Sequence, residues 1–254
     1  MLDTLHALPF SFADWAVMVA AIVVAYIVFG IAAFGTALVA GPLLVHFMPL
    51  SQAVPLLVLL DFVAAFGNLL PSRKAVVGAE LLRLLPCMAV GCTLGVTFLL
   101  KLQSQALLLL MGVFLVAYAL YMLLVRVKPT RLAPLWAIPM GTIGGLFGAM
   151  FGSGGFLYAI YLSARLDDKH QVRATQSAII SCSTMVRLSL FVAAGVYADL
   201  TLLTIALCLL PPMAAGLWLG RHLTLRMSRE AFVRMVTWLV LLSGLTLLYR
   251  YAFG

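Results

Sequence analysis

Acidic side chains are scarce in this sequence. Asp and Glu together account for 8 of 254 residues, and charged residues of both signs for 9%. Soluble globular domains carry about 25% charged residues, so an ordinary soluble fold is excluded. Cysteine is almost as sparse. Cys87, Cys92, Cys182 and Cys208 all sit in apolar stretches. None belongs to a CxxC or stands beside a histidine, which excludes the common zinc and dithiol patterns. HExxH, G-x-S-x-G and Walker motifs are missing, as is any pair of carboxylates at catalytic spacing. His6, His46, His170 and His222 are scattered. An enzyme is therefore not expected, and neither a cofactor nor a metal is implied. The first residues, MLDTLHALPFSFADW, lack a basic n-region and a small-residue cleavage site, so no cleaved signal peptide is expected.

Apolar residues fill the space that charge leaves. They make up 65% of the chain, and mean hydropathy is +1.15. Such a chain reads as an all-α polytopic membrane protein forming one membrane domain, with the lipid bilayer as its main partner. The net charge of +8 is read as loop charge that fixes orientation, not as a nucleic-acid surface. Eight apolar segments stand out, at about 15–48, 53–70, 79–100, 104–125, 133–162, 175–197, 199–220 and 230–250. Six have ordinary spanning length, about 17–25 residues. The first and fifth are too long for one span.

The fifth segment holds Gly141, Gly144, Gly145, Gly148, Gly152, Gly154 and Gly155. Each glycine in a helix interior costs roughly 1 kcal/mol against alanine. A run this dense is expected to break the helix at Gly152-Ser153-Gly154-Gly155. In a bilayer, opened backbone survives only where protein buries it or a wet cavity borders it. A weaker copy, Phe34-Gly35-Thr36, lies 117 positions before Phe151-Gly152-Ser153.

A second match has a different offset. Leu84-Leu85-Pro86, Ala89, Gly91, Leu94, Gly95, Leu100 and Lys101 recur 125 positions later as Leu209-Leu210-Pro211, Ala214, Gly216, Leu219, Gly220, Leu225 and Arg226. The chain thus reads as two repeats, 1–128 and 129–254. About eight residues are added between the matched blocks, and the polar loop Ser163–Arg173 is the expected place.

Loop charge tests the topology. With eight single-pass spans, the alternative arrangement, the two sides carry seven and eight basic residues, which is no bias. If segments one and five are re-entrant hairpins, one side gathers Arg73, Lys74, Arg83, Arg126, Lys128, Arg131, Arg165, Lys169, Arg173, Arg221, Arg226, Arg229 and Arg234. The other keeps Lys101 and Arg250. That bias is what the positive-inside rule expects. Each half is then a broken hairpin, with arms of about 15 residues, plus three transmembrane helices. Three crossings turn the second half upside down, giving two inverted repeats.

With these motifs in view, the chain resembles the TauE/SafE sulfite-exporter family. The resemblance rests on the length, the duplication, the Phe34-Gly35 and Phe151-Gly152-Ser153-Gly154-Gly155 motifs and the Pro-x4-Gly-x3-Gly segments. The first break departs from the richer glycine pattern, keeping Gly35 and then Gly41-Pro42. The resemblance implies a multi-pass permease of the cell inner membrane. Its cargo would be small anions, often sulfur-containing such as sulfite or organosulfonates, and its direction most often export.

Individual residues point the same way. Arg187 lies inside the sixth apolar segment, where a charge costs about 2.5–3.5 kcal/mol on insertion scales. It is expected to counter an anionic substrate. Ser181 and Thr184 share its helical face. The breaks supply backbone N–H groups and hydroxyls suited to an anion. The expected substrate-binding set is Phe34, Gly35, Thr36, Phe151, Gly152, Ser153, Gly154, Gly155, Ser181, Thr184 and Arg187. Asp61, close to the mirror position of Arg187, is assigned to pairing with it or to proton coupling. Tyr158 and Tyr161 read as interfacial anchors. A homo-oligomer is left open. Two other readings compete with the permease: a structural or accessory subunit of a membrane complex, and an intramembrane enzyme.

Overall fold

The computed structural model of the chain describes residues 11–32, 35–69, 75–124, 132–222 and 229–253. Ten α-helices run through them: α1 (Phe12–Ala32), α2 (Thr36–Leu44), α3 (Leu50–Leu69), α4 (Gly78–Lys101) and α5 (Ser104–Leu124), then α6 (Ala137–Phe151), α7 (Gly155–Arg165), α8 (Lys169–Ala193), α9 (Leu200–His222) and α10 (Arg229–Phe253). Among the described residues there is no strand. The protein is an all-α polytopic membrane protein, and among the described residues six helical stretches are long and apolar enough to cross a bilayer.

The two overlong segments are each split in two. α1 is followed by the short α2, and α6 by the short α7. The chain folds back at the second break: Gly144 lies against the Tyr158 ring and Gly148 against Gly154. The arms are unequal, 21 and 9 residues in the first hairpin, 15 and 11 in the second. Arms of about 15 residues hold only for α6. Glycines pull the break toward the end of each long segment, because the left-handed residue falls at Gly35 and Gly152.

Helix packing exchanges the halves. α4 lies along α6, and α9 lies along α1; α3 packs on α8, and α5 on α10. Swapping the first five helices for the last five leaves this pattern unchanged. The repeated glycines make the exchanged contacts. A Cβ on Gly91 would collide with the Thr142 carbonyl oxygen, and one on Gly95 would come 2.6 Å from that of Leu146. Their counterparts do the same to α1: Gly216 would come 2.5 Å from the Val23 oxygen, and Gly220 would collide with that of Ile27. Two buried clusters follow. One joins α1, α2, α3 and α9. The other is built mainly from α4 to α8 with part of α10.

The expected polar loop Ser163–Arg173 is mostly helix. α7 runs to Arg165, and α8 starts at Lys169, where the Asp168 carboxylate caps it by accepting from the His170 N–H at 2.8 Å. The capping carboxylate lets a helix begin in a polar stretch. α8 has 25 residues against 20 in α3, and its start at Lys169 lies within the stretch where the added residues are expected.

A buried carboxylate fastens the second hairpin. Glu80, at the start of α4, accepts from Arg83 at 2.7 Å and from Arg165 Nη2 at 2.9 Å, while the Tyr161 hydroxyl donates to its other oxygen at 2.6 Å. Tyr161 is therefore a buried strut. The interfacial role expected for it does not hold, because its hydroxyl has a carboxylate to reach inside the protein.

Candidate functional site

Two glycines set the geometry. Gly35 precedes α2 at φ +100°, and Gly152 closes α6 at φ +62°. Glycine adopts these angles without steric cost. The Gly152 N–H donates to the Gly148 carbonyl at 2.9 Å, the usual way a left-handed cap ends a helix. The two breaks meet, since a Cβ on Gly152 would strike the Ala37 methyl of α2. α7 then starts beside the break, where the Leu157 N–H turns back to the Gly154 carbonyl at 3.2 Å and the N–H groups ahead of it precede the first α-helical bond. Its positive dipole end faces the same place.

A small cavity, about one water molecule in size, lies between the breaks. Phe29, Gly35, Thr36 and Asp61 line it from the first half. Gly152, Gly154, Gly155, Tyr158 and Arg187 are among its walls from the second. A neighbouring cavity shares Phe29 and Asp61 and adds Ser177, Ser181 and Thr184.

Arg187 is 4% exposed. Its Nη1 donates to the Gly148 carbonyl at 2.8 Å, its Nη2 to Thr184 Oγ1 at 3.0 Å and its Nε to the Ser183 carbonyl at 3.4 Å. A guanidinium has five N–H donors. Two stay available, and every oxygen that accepts from the guanidinium is neutral. Glu80 forms ion pairs with Arg83 and Arg165, and Arg187 forms none with Asp61 within 4 Å.

Asp61, 6% exposed, is served by hydroxyls. Tyr26 donates to Oδ1 at 2.8 Å, and Thr36 donates to Oδ1 at 3.0 Å. By contrast, the buried hydroxyls of Ser153 and Tyr158 have no hydrogen-bond partner; Tyr158 sits close to Ser183 without a bond of good geometry. Buried polar atoms are nearly always paired. Of the two, the Tyr158 hydroxyl belongs to a residue that lines the same cavity as Arg187.

No curated protein and no solved structure matches the chain. The family model described as sulfite exporter TauE/SafE matches residues 18–247. The chain belongs to the TauE/SafE sulfite exporter family. It is a multi-pass membrane protein of a transporter family, and the TauE/SafE match takes in both breaks and both helices that carry the repeated glycines.

Within this TauE/SafE chain, the residues singled out from sequence fall into separate places. Gly35, Thr36, Asp61, Gly152, Gly154, Gly155 and Arg187 border the first cavity. Ser181 and Thr184 border the second, and both hydroxyls donate to their own helix, to Ser177 at 2.9 Å and Ile180 at 3.0 Å. Thr184 still accepts from Arg187. Ser153 is fully buried between two lining glycines. Phe151 belongs to an aromatic cluster, with its ring centre 5.2 Å from that of Phe114. Phe34 lies outside the described residues. Tyr26, Gly148, Ser183 and Tyr158 were not singled out as site residues. Tyr158 was legible in principle: it follows Gly155 by three positions, within the first turn after the break, so its ring stays at the hairpin interior instead of at an interface. Nothing in the sequence marks Tyr26, whose neighbours are uniformly apolar.

Proposed function

We propose that this chain is a secondary transporter of small anions across the cell inner membrane, with sulfur oxyanions such as sulfite and organosulfonates as its cargo class and export as its direction. The observation that carries this reading is Arg187. A buried guanidinium with two spare donors, no carboxylate within ion-pair distance and the unpartnered Tyr158 hydroxyl on the same cavity suits a small tetrahedral or pyramidal oxyanion. The family supports the transport class. In this reading residues 1–128 and 129–254 are inverted repeats, and the helix exchange lets one half move against the other around a shared site.

Purified protein in liposomes loaded with labelled sulfite or a sulfonate gives the test. Efflux above protein-free vesicles is expected, and Arg187→Gln, inserted at the same level, should lose it. Full flux in Arg187→Gln would reject the site. Reporter fusions at residues 101 and 168 should fall on opposite sides of the membrane; the same side for both would reject the inverted hairpin plan.

A further inference from the structure

The site carries one buried charge of each sign. Asp61 on α3 and Arg187 on α8 line the same cavity, yet no ion pair within 4 Å joins them. Their helices pack directly on each other. Empty, the enclosure is neutral overall. A monoanion seated on Arg187 makes it net negative, with a carboxylate facing the newcomer across a low-dielectric gap. Neutrality returns when Asp61 takes a proton.

We propose that Asp61 is the proton-binding site of this transporter, filled together with the anion, so that each monoanion moves with one proton in the same direction. The inference rests on the anion-site reading above and adds the coupling ion to it. The proton comes from water and rests on an Asp61 carboxylate oxygen, beside the hydroxyls of Tyr26 and Thr36. The anion takes the donors of Arg187. Occupancy is cooperative in one sense only. A proton on Asp61 leaves Arg187 uncompensated and draws the anion in, and the anion by linkage draws the proton. Proton and anion therefore cannot exchange against each other on this site.

The surrounding groups leave Asp61 as the titrating member. From α1 comes Tyr26, from α8 Arg187, from α7 Tyr158, and beyond Arg187 lie Cys92 of α4 and Tyr197 after α8. From α2 comes only Thr36, and α9 lines neither cavity. Phenols, thiols and guanidinium ordinarily titrate above about 8. The carboxylate is the one group at the cavity whose ordinary range lies below that.

Export remains open to such a pair. A neutral proton–anion couple leaves whenever the inside-to-outside anion ratio exceeds the outside-to-inside proton ratio. The membrane potential then adds nothing to a monoanion's exit.

The test uses the full chain in liposomes with methanesulfonate, a strong-acid monoanion whose own charge is fixed between pH 5 and 8. A one-unit pH gradient should accumulate it about tenfold on the alkaline side, while an imposed potassium-diffusion potential should have no effect. Asp61→Asn, which keeps an acceptor for Tyr26 and Thr36, should reverse both responses: no accumulation from the pH gradient, and flux that follows the potential. Equal pH coupling in Asp61→Asn would overturn the assignment, as would accumulation driven by sodium instead. Potential-driven flux in the unaltered protein would overturn coupling while leaving the anion site standing. If no sulfonate or sulfite binds under any condition, the transport reading and this inference fail together.

Discussion

Gly216→Ala tests the exchanged helix packing most directly. The new Cβ would stand 2.5 Å from the Val23 carbonyl oxygen, 3.0 Å from the Val23 Cα and 3.1 Å from the Tyr26 Cβ. Ordinary contact begins near 3.4 Å. Two of the three neighbours are backbone atoms and the third is a Cβ, so no flexible side chain can turn aside. α9 and α1 must part by roughly 0.9 Å, and overpacking of this kind costs about 1–3 kcal/mol, here toward the upper end. Replacing a helical glycine with alanine returns about 1 kcal/mol. The net loss is then about 2 kcal/mol, or roughly 4–8 °C in Tm for a chain of this size. Gly78→Ala is the control, since its Cβ would meet nothing within 4 Å; it should hold or raise Tm. The assay is thermal unfolding of detergent-purified protein followed by tryptophan fluorescence. Because α1 also carries the first break, Gly216→Ala should slow transport as well. If its Tm equals that of Gly78→Ala, the close approach of α9 to α1 is wrong, and with it the exchange of halves.

Three further outcomes are expected. Tyr158→Phe removes a hydroxyl that has no partner in the protein, so Tm should stay level, whereas sulfite affinity in a binding assay should fall about tenfold; a lower Tm with unchanged affinity would show that the hydroxyl serves the fold. Gly35→Ala has space but meets φ +100°, and should cost about 1–2 kcal/mol from the backbone alone, while Gly152→Ala adds a collision with Ala37 and should cost more; equal Tm losses would contradict the contact between the breaks. Glu80→Gln leaves Arg165 and Arg83 without their acceptor charge and should cost about 2 kcal/mol, seen as faster proteolysis after Arg165; unchanged cleavage would deny Glu80 its fastening role.

Local chemistry decided much of the plan before any contact was known. Seven glycines in one apolar stretch demand a break, because backbone without a Cβ gains least from helix formation. A left-handed residue at Gly35 and at Gly152 follows from the same chemistry, and their equal places in the two halves are written in the 117-residue offset. An arginine within an apolar span stands out by its desolvation cost alone. Family membership was likewise legible in the motifs.

Other features depend on which helix lies against which, and periodicity within a strand of sequence is blind to that. The repeated Gly-x3-Gly pairs were visible, yet only packing shows that Gly91 and Gly95 serve the opposite half's hairpin. Thr36 and Ser153 are equivalent by position, but the fold gives Thr36 a carboxylate to serve and leaves Ser153 unpaired. Tyr26 is an ordinary residue of an apolar helix until α3 brings Asp61 within 2.8 Å of it. Phe151 sits one residue from the break and still turns to Phe114, because an aromatic face finds more buried surface there. Composition and glycine placement fixed where the chain breaks and that it spans a membrane. The union of Asp61 with Arg187 around one cavity belongs to the tertiary structure, because only packed helices bring opposite charges from distant segments into the same enclosure.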